Sequence, residues 1–286
     1  MSWDPGPAWL FCPGDRPDRF AKAFERADLV ILDLEDAVSP DRKHVARAAV
    51  AAAAVDLNRC VVRVNAASSA FHEADLAVVR GMPGIRVMLA KTESAAQLAG
   101  LSDLSVIGTI ESARGAHSLP EIAASPGLAG PAWGAEDLVA SLGGTGNRRP
   151  DGCYRDVARE VRSRTLLAAK ANGLLAVDAI HADIGDLPGL RAESEDAAAS
   201  GFDATMAVHP AQVPVIRDAY TPSAAAVTRA RRLLKLADGD SGVTSFEGQM
   251  VDGPTYAMPG ERSAGPLAEP SKGSANFGPI IFIFNY

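Results

Sequence analysis

A (β/α)8 TIM barrel with a C-terminal helical lid extension is the fold this chain predicts, on three observations. Short apolar runs alternate with longer helical stretches eight times along the chain. The 286 residues exceed by little the roughly 250 typical of one such barrel. No G-x-G-x-x-G follows the first strand, which argues against the alternative, a doubly wound dinucleotide-binding sheet.

Taken in order, residues 9–13 read as the first strand. Asp15 is expected to cap the next helix, with Pro17 in its first turn and Phe20, Ala23, Phe24 and Ala27 forming an i, i+3, i+4, i+7 stripe. Residues 29–34 form the second strand, and Ser39-Pro40 opens an Ala-rich helix through Val55. The third strand is 60–65, followed by a helix near 71–80. The fourth is 85–89, ending at Lys91, with Thr92 expected to cap the helix beyond. After the fifth strand, 105–110, Ser118 and Glu121 have the spacing of a capping box. The sixth, 128–133, is interrupted by Pro131. A Gly-rich loop, 143–152, leads into a long helix over 154–172 stopped by Gly173. Residues 174–180 and 204–208 are strands seven and eight, with a helix near 190–200 between them and helices at 211–219 and 222–237 after. Beyond Asp238 the composition shifts. Residues 1–238 are read as the barrel domain, 239–255 as a lid motif, and 256–286 as a poorly ordered tail rich in Gly, Pro and Ser.

The 47% hydrophobic content permits a sizeable core, and 22% charged residues is ordinary for a globular protein. A net charge of −7 argues against a nucleic-acid partner. No apolar run approaches the ~20 residues needed to span a bilayer, and the N-terminus lacks signal-peptide character, so a cytoplasmic protein with no membrane partner is expected. Cys12, Cys60 and Cys153 have neither metal-ligand spacing nor a disulfide pattern.

The chemistry concentrates at the ends of apolar runs. Ile31-Leu32-Asp33-Leu34-Glu35-Asp36, Ile107-Gly108-Thr109-Ile110-Glu111 and Ala132-Trp133-Gly134-Ala135-Glu136-Asp137 each deliver acids there. In a barrel all strand ends open onto one face. Glu35, Asp36, Arg63, Lys91, Glu111, Asp137, Asp178 and His209 therefore share a rim. Acids so close repel unless a cation lies among them, and an all-oxygen set favours Mg²⁺. Two simpler readings compete: single acids pairing with Arg63 or Lys91, and an acid capping the helix after a strand. Arg63 is the only charged residue in 60–65. Burying it is costly without a carboxylate opposite, and a small carboxylic acid substrate is one source. Lys91 is either an anion contact or a solvated strand-end lysine, and the His209-Pro210 pair reads as shaping its strand end.

Phe11-Cys12-Pro13-Gly14-Asp15-Arg16-Pro17-Asp18-Arg19-Phe20, Asp33-Leu34-Glu35-Asp36-Ala37-Val38, Val62-Arg63-Val64-Asn65 and Ile110-Glu111-Ser112 together resemble the citrate lyase β-subunit-like proteins of the HpcH/HpaI aldolase/citrate lyase superfamily. So do Trp133-Gly134-Ala135-Glu136-Asp137-Leu138, His209-Pro210-Ala211-Gln212 and Phe246-Glu247-Gly248-Gln249-Met250-Val251-Asp252. The resemblance is to the stand-alone type of mycobacteria and runs in order from about residue 9 to 254. It implies an Mg²⁺-dependent barrel, often a homotrimer, that reversibly cleaves a carbon–carbon bond in a 3-hydroxyacyl-CoA of the malyl, citramalyl or 3-hydroxy-3-methylglutaryl type. The products are a keto acid and acetyl-CoA or an analogue. By position, Glu111 and Asp137 match the metal ligands, Glu35 and Asp36 the acids that hold metal-bound waters, and Arg63 the residue that binds the keto-acid carboxylate. Asp252 matches a lid carboxylate that closes over a neighbouring subunit's site and handles the acetyl-CoA proton, and Arg16 and Arg19 match CoA contacts. Where many relatives have Gly-Lys before the eighth strand, this chain has Ala204-Thr205. Past Asp252, where relatives continue as a helix, it runs into Gly and Pro. The alternatives are an acyl-carrier-dependent citrate lyase subunit, a malate-synthase-like thioesterase or condensing enzyme, and a CoA-independent class II aldolase, the last disfavoured by the Asp252 motif.

Overall fold

The computed structural model of the chain describes residues 3–237, 244–247 and 249–251. Eight parallel strands close into a barrel in sequence order: β1 (Ala8–Pro13), β2 (Leu29–Asp33), β3 (Cys60–Val64), β4 (Arg86–Leu89), β5 (Ser105–Ile110), β6 (Leu128–Trp133), β7 (Val177–Asp178) and β8 (Ala204–Ala207). Closure is direct, with Ala8 of β1 opposite Thr205 of β8. The strands read as continuous apolar runs because both of their faces are covered. Leu10, Val30, Leu32, Val62 and Val87 pack with helix residues such as Ala23, Ala46 and Val79 in one cluster. The alternate residues Trp9, Ile31, Val61, Met88 and Ile107 are equally buried, and by the two-residue period of a strand they fill the barrel interior.

Helices α1 (Phe20–Arg26), α2 (Lys43–Ala51), α3 (His72–Arg80) and α4 (Ala95–Ala99) follow the first four strands. Then come α5 (Ala113–His117), α6 (Leu119–Ala123), α7 (Ala135–Ser141), α8 (Asp156–Ala171), α9 (Leu187–Ser200) and α10 (Gln212–Tyr220). The compact barrel unit spans Pro5–Tyr220. A second unit combines Met1–Asp4 with Thr221–Tyr286 and contains α11 (Ala224–Ala237) and an antiparallel hairpin of β9 (Thr244–Phe246) and β10 (Gln249–Val251). There Arg229 and Arg232 of α11 grip the Glu247 carboxylate at 2.7 and 2.8 Å and lie over the Phe246 ring. Asp252 and residues 256–286 lie outside the described residues. Among the described residues no helix is long and apolar enough to cross a membrane.

The expected helix caps moved. Asp15 does not cap: one 3-10 turn, Pro17–Arg19, precedes α1, and the Asp15 carboxylate instead accepts a 2.5 Å bond from Arg42. Thr92 is fully buried, and its hydroxyl donates to the Leu89 carbonyl, leaving Ser94 to cap α4. Ser118 ends α5 with a near-helical backbone and makes no side-chain cap to α6; Ser112, in extended conformation, caps α5 instead. The Ala-rich helix is shorter than expected, because it begins after a 3-10 turn at Pro40–Arg42 and ends at Ala51. The seventh strand keeps only two residues.

The pairing of β5 with β6 shifts register between Val106 and Ile107, and the backbone of Leu175 comes so close to Gly130 that a Cβ there would lie 2.2 Å from the Leu175 carbonyl oxygen. Gly130→Ala is therefore expected to cost at least about 1–3 kcal/mol, the usual penalty of overpacking, and to lower Tm by several degrees in thermal denaturation. An unchanged Tm would mean that this close approach is not a constraint.

Candidate active site

The rim is built from register. Asp33 at the end of β2 is the parallel partner of Arg63 in β3, so their side chains meet. Arg63 Nε and Nη2 each lie 2.6 Å from one Asp33 oxygen. The same carboxylate accepts the N–H groups of Glu35 at 2.9 Å and Ala37 at 3.0 Å, which holds the turn after β2. Burial opposes ionisation of Asp33, yet the Arg63 charge and these hydrogen bonds outweigh it and hold the carboxyl below its ordinary range. Arg63 Nη1 reaches Glu35 Oε2 at 3.0 Å, and the guanidinium lies 4.6 Å from the centre of the Phe11 ring. The carboxylate that compensates Arg63 is thus the protein's own. One edge of the guanidinium is taken by Asp33, and the remaining terminal nitrogen is paired with Glu35.

Beneath this pair lies a second brace. Lys43 of α2 is buried, and its Nζ donates to the carbonyls of Leu34 and Glu35 and to Asn65 Oδ1 at 2.6, 2.7 and 3.0 Å. Asn65 in turn bonds the Leu34 carbonyl and the buried Asp75. The loops after β2 and β3 are therefore tied from below. A lysine opening a helix ordinarily lies in solvent, so nothing in the residue order marks Lys43 as buried.

Lys91 joins the other side. Its φ of +48° lies in the left-handed region that a non-glycine residue rarely adopts, at a cost of order 1–3 kcal/mol and characteristic of functional sites. That conformation lets its backbone N–H donate to Glu111 Oε1 at 2.7 Å. Its Nζ lies 2.6 Å from Glu35, 3.4 Å from Asp137 and 3.6 Å from Asp36. Glu35, Asp36, Arg63, Lys91, Glu111 and Asp137 thus form one connected set. Asp137 sits one-third exposed in the first turn of α7, with Glu136 beside it held by Asn147. No side chain caps α7, because Gly134 is its N-cap. Gly134 has a different use. A Cβ on it would fall 2.7 Å from Glu111 Oε2 and 3.1 Å from Glu111 Cβ, so the missing side chain is the room that Glu111 occupies.

Glu111 is only 4% exposed, and among the described residues it has no ion pair. Burial pushes its carboxyl up to about 7, against the pull of the Arg63 charge and the Lys91 N–H, and the Asp137 charge pushes the same way. Among the described residues no three His, Cys, Asp or Glu side chains converge on a single metal position. Mg²⁺ does not require three: it commonly takes one or two carboxylates and keeps its waters. An under-neutralised buried carboxylate with a second, partly exposed one nearby fits that ion.

Other rim candidates serve elsewhere. Asp178 is buried and held by Trp133 Nε1 at 2.5 Å and Arg162 Nη2 at 2.8 Å, which ties it to α8 and not to the acid set. His209 Nδ1 accepts the Ala211 N–H, and its own N–H goes to Gln212, so it shapes the start of α10. Arg16 grips Asp18 at 2.8 and 2.9 Å, and Arg19 is exposed in the same turn after β1, on the rim but outside the acid set.

A family model described as HpcH/HpaI aldolase/citrate lyase matches residues 8–210. A citrate lyase subunit beta-like protein of Mycobacterium tuberculosis is 53% identical over 262 residues, covering 91% of this chain and 96% of that protein. An L-malyl-CoA/beta-methylmalyl-CoA lyase of Cereibacter sphaeroides is 33% identical, covering 87% of this chain and 90% of that protein. A crystal structure of a Mycobacterium tuberculosis protein in complex with magnesium, acetoacetate and coenzyme A superimposes with a TM-score of 0.84 at 53% identity, covering 87% of this chain and 93% of that one.

The raised Glu111 carboxyl couples stability to pH. Between its unfolded pKa, near 4.5, and about 7, the folded state holds a proton that the unfolded state has lost, so this group's contribution to stability falls as pH rises across that window. Glu111→Gln is therefore expected to stabilise the metal-free protein at pH 8 and to change it little near pH 4, measured by denaturant unfolding. A variant less stable than the parent at pH 8 would contradict it.

Proposed function

Because the chain belongs to the HpcH/HpaI aldolase/citrate lyase family, we propose that it is an Mg²⁺-dependent carbon–carbon lyase acting reversibly on a 3-hydroxyacyl-CoA of the malyl, citramalyl or 3-hydroxy-3-methylglutaryl type. The products are a keto acid and acetyl-CoA or an analogue. The observation that carries this reading is the buried Glu111 carboxylate, which among the described residues has no ion pair and accepts only the Lys91 N–H, with the Asp137 and Arg63 charges acting on it. The magnesium, acetoacetate and coenzyme A bound by the 53%-identical protein support it.

Glu111 and Asp137 would hold the ion, and Glu35 and Asp36 would hold its waters. When bound, the metal supplies Lewis-acid polarisation of the substrate's hydroxyl or keto oxygen, worth several kcal/mol of charge stabilisation. Arg63 offers the guanidinium edge not engaged by Asp33 to the substrate carboxylate and fixes which carbon faces the acyl group. The rigid Asp33–Arg63 pair means that this edge arrives already oriented. Arg16 and Arg19, on the loop after β1, contact the CoA phosphates. The proton on the acetyl carbon is assigned to Asp252, reaching a neighbouring subunit's site in a homotrimer and acting as an acid/base group. Acyl groups that differ by a methyl or methylene are separated by only about 1–3 kcal/mol in a pocket, so a panel of thioesters is the right assay.

With malyl-CoA, citramalyl-CoA and 3-hydroxy-3-methylglutaryl-CoA, the purified protein is expected to release a keto acid and acetyl-CoA from at least one, and chelator should abolish release. Free CoA with an intact hydroxy acid would mean a thioesterase instead. No reaction with any free thioester would point to an acyl-carrier-dependent subunit. Alanine at Glu111 or Asp137 is expected to lower kcat by ~100-fold or more with the fold retained by circular dichroism. Gly134→Ala, which crowds Glu111, is expected to weaken Mg²⁺ binding measured by calorimetry by roughly tenfold, about 1.4 kcal/mol. Normal turnover in either alanine variant would sink the metal assignment.

A further inference from the structure

Four carboxylates, Glu35, Asp36, Glu111 and Asp137, crowd the rim. Among the described residues only two cations stand at ion-pair distance from any of them, Lys91 and the Glu35-facing edge of Arg63. Arg63 is already committed to Asp33 through two 2.6 Å bonds. Lys91 is therefore the main countercharge for the set, and it reaches three of its members. Its placement is specific. The left-handed backbone at φ +48° aims its N–H at Glu111 and its ammonium between Glu35 and Asp137. A strand-end lysine left to solvent would need no such conformation.

We propose that Lys91 is the resident counter-cation of the metal-free site: its ammonium holds Asp137 toward the acid set until Mg²⁺ arrives, and the two cations then compete for that carboxylate. Lys91 is a positioning residue in this account. Its anchor to Glu35, at 2.6 Å, is the shorter contact and persists, while the 3.4 Å contact to Asp137 is the one the metal replaces. The idea rests on Glu111 and Asp137 being the metal ligands, and calorimetry on the unaltered protein tests that first. If the parent binds no Mg²⁺, the ligand assignment fails before Lys91 is at issue.

Given binding by the parent, Lys91→Met removes the competing charge while keeping the backbone N–H to Glu111. Coulomb interactions at this range, in a half-buried setting, make Mg²⁺ bind on the order of tenfold tighter to Lys91→Met. Lys91→Arg keeps the charge and should stay near the parent value. The metal-free Lys91→Met protein should also show a lower Tm that recovers with saturating Mg²⁺. A residue that merely shapes the loop would give the opposite sign: unchanged or weaker Mg²⁺ binding in Lys91→Met overturns the proposal. Should that variant fail to fold, the parent protein still decides. Labelling of Lys91 by an amine-reactive probe, read by peptide mass spectrometry, is expected to quicken severalfold when Mg²⁺ is added. An unchanged or slower rate contradicts the competition.

Discussion

Glu111 stands at the end of β5 with one backbone N–H on its carboxylate and almost no solvent, and the rest of the rim is organised around that uncompensated burial. An isolated buried carboxylate is expensive and ordinarily answers by staying protonated. Here burial lifts it to about 7, while Asp137 nearby adds negative charge where a neutral site would be cheaper. Gly134 has no side chain where a Cβ would strike Glu111, and Lys91 accepts a left-handed backbone to give it a donor. Two strained or permissive positions thus serve one carboxylate. Such concentration of local cost around one carboxylate is characteristic of a functional site.

The barrel supplies the rigidity that makes this possible. Parallel register sets Asp33 beside Arg63, and the resulting fork, with Lys43 and Asn65 beneath it, locks the ends of β2 and β3. A buried pair of this kind is weak evidence for stability but strong evidence for fixed orientation, since breaking either half leaves an uncompensated charge. Arg63 is therefore a structural partner to Asp33 on one edge and an ion-pair partner of Glu35 beyond it, fixed in orientation by both.

Much of this was legible in the residue order, for physical reasons. Strands covered on both faces appear as unbroken apolar runs, so the eightfold alternation stood out, and acids immediately after such runs had to lie on one rim. That logic reached Glu35, Asp36, Glu111 and Asp137. The competing reading, that single acids merely pair with Arg63 or Lys91, is the one that holds for Glu35, which pairs with both. It did not reach Asp33 as the partner of Arg63, because only strand register joins residues thirty positions apart. Lys43 was hidden because a helix-opening lysine normally faces water. Cap assignments failed at Thr92 and Ser118 for a related reason: a hydroxyl caps only when its own backbone is extended, and burial or a preceding helix end had already fixed those backbones otherwise. Asp178 looked like a rim acid but is claimed by Trp133 and Arg162 in the layer outside the strands.

The most direct measurement is a crystal structure of the protein grown with Mg²⁺ and a small keto acid. The expected result is an ion bound by one oxygen each of Glu111 and Asp137, with the keto acid's carboxylate against the edge of Arg63 that faces Glu35 and Lys91 still on Glu35. An ion coordinated elsewhere, or a keto acid that displaces Asp33 from Arg63, would contradict it.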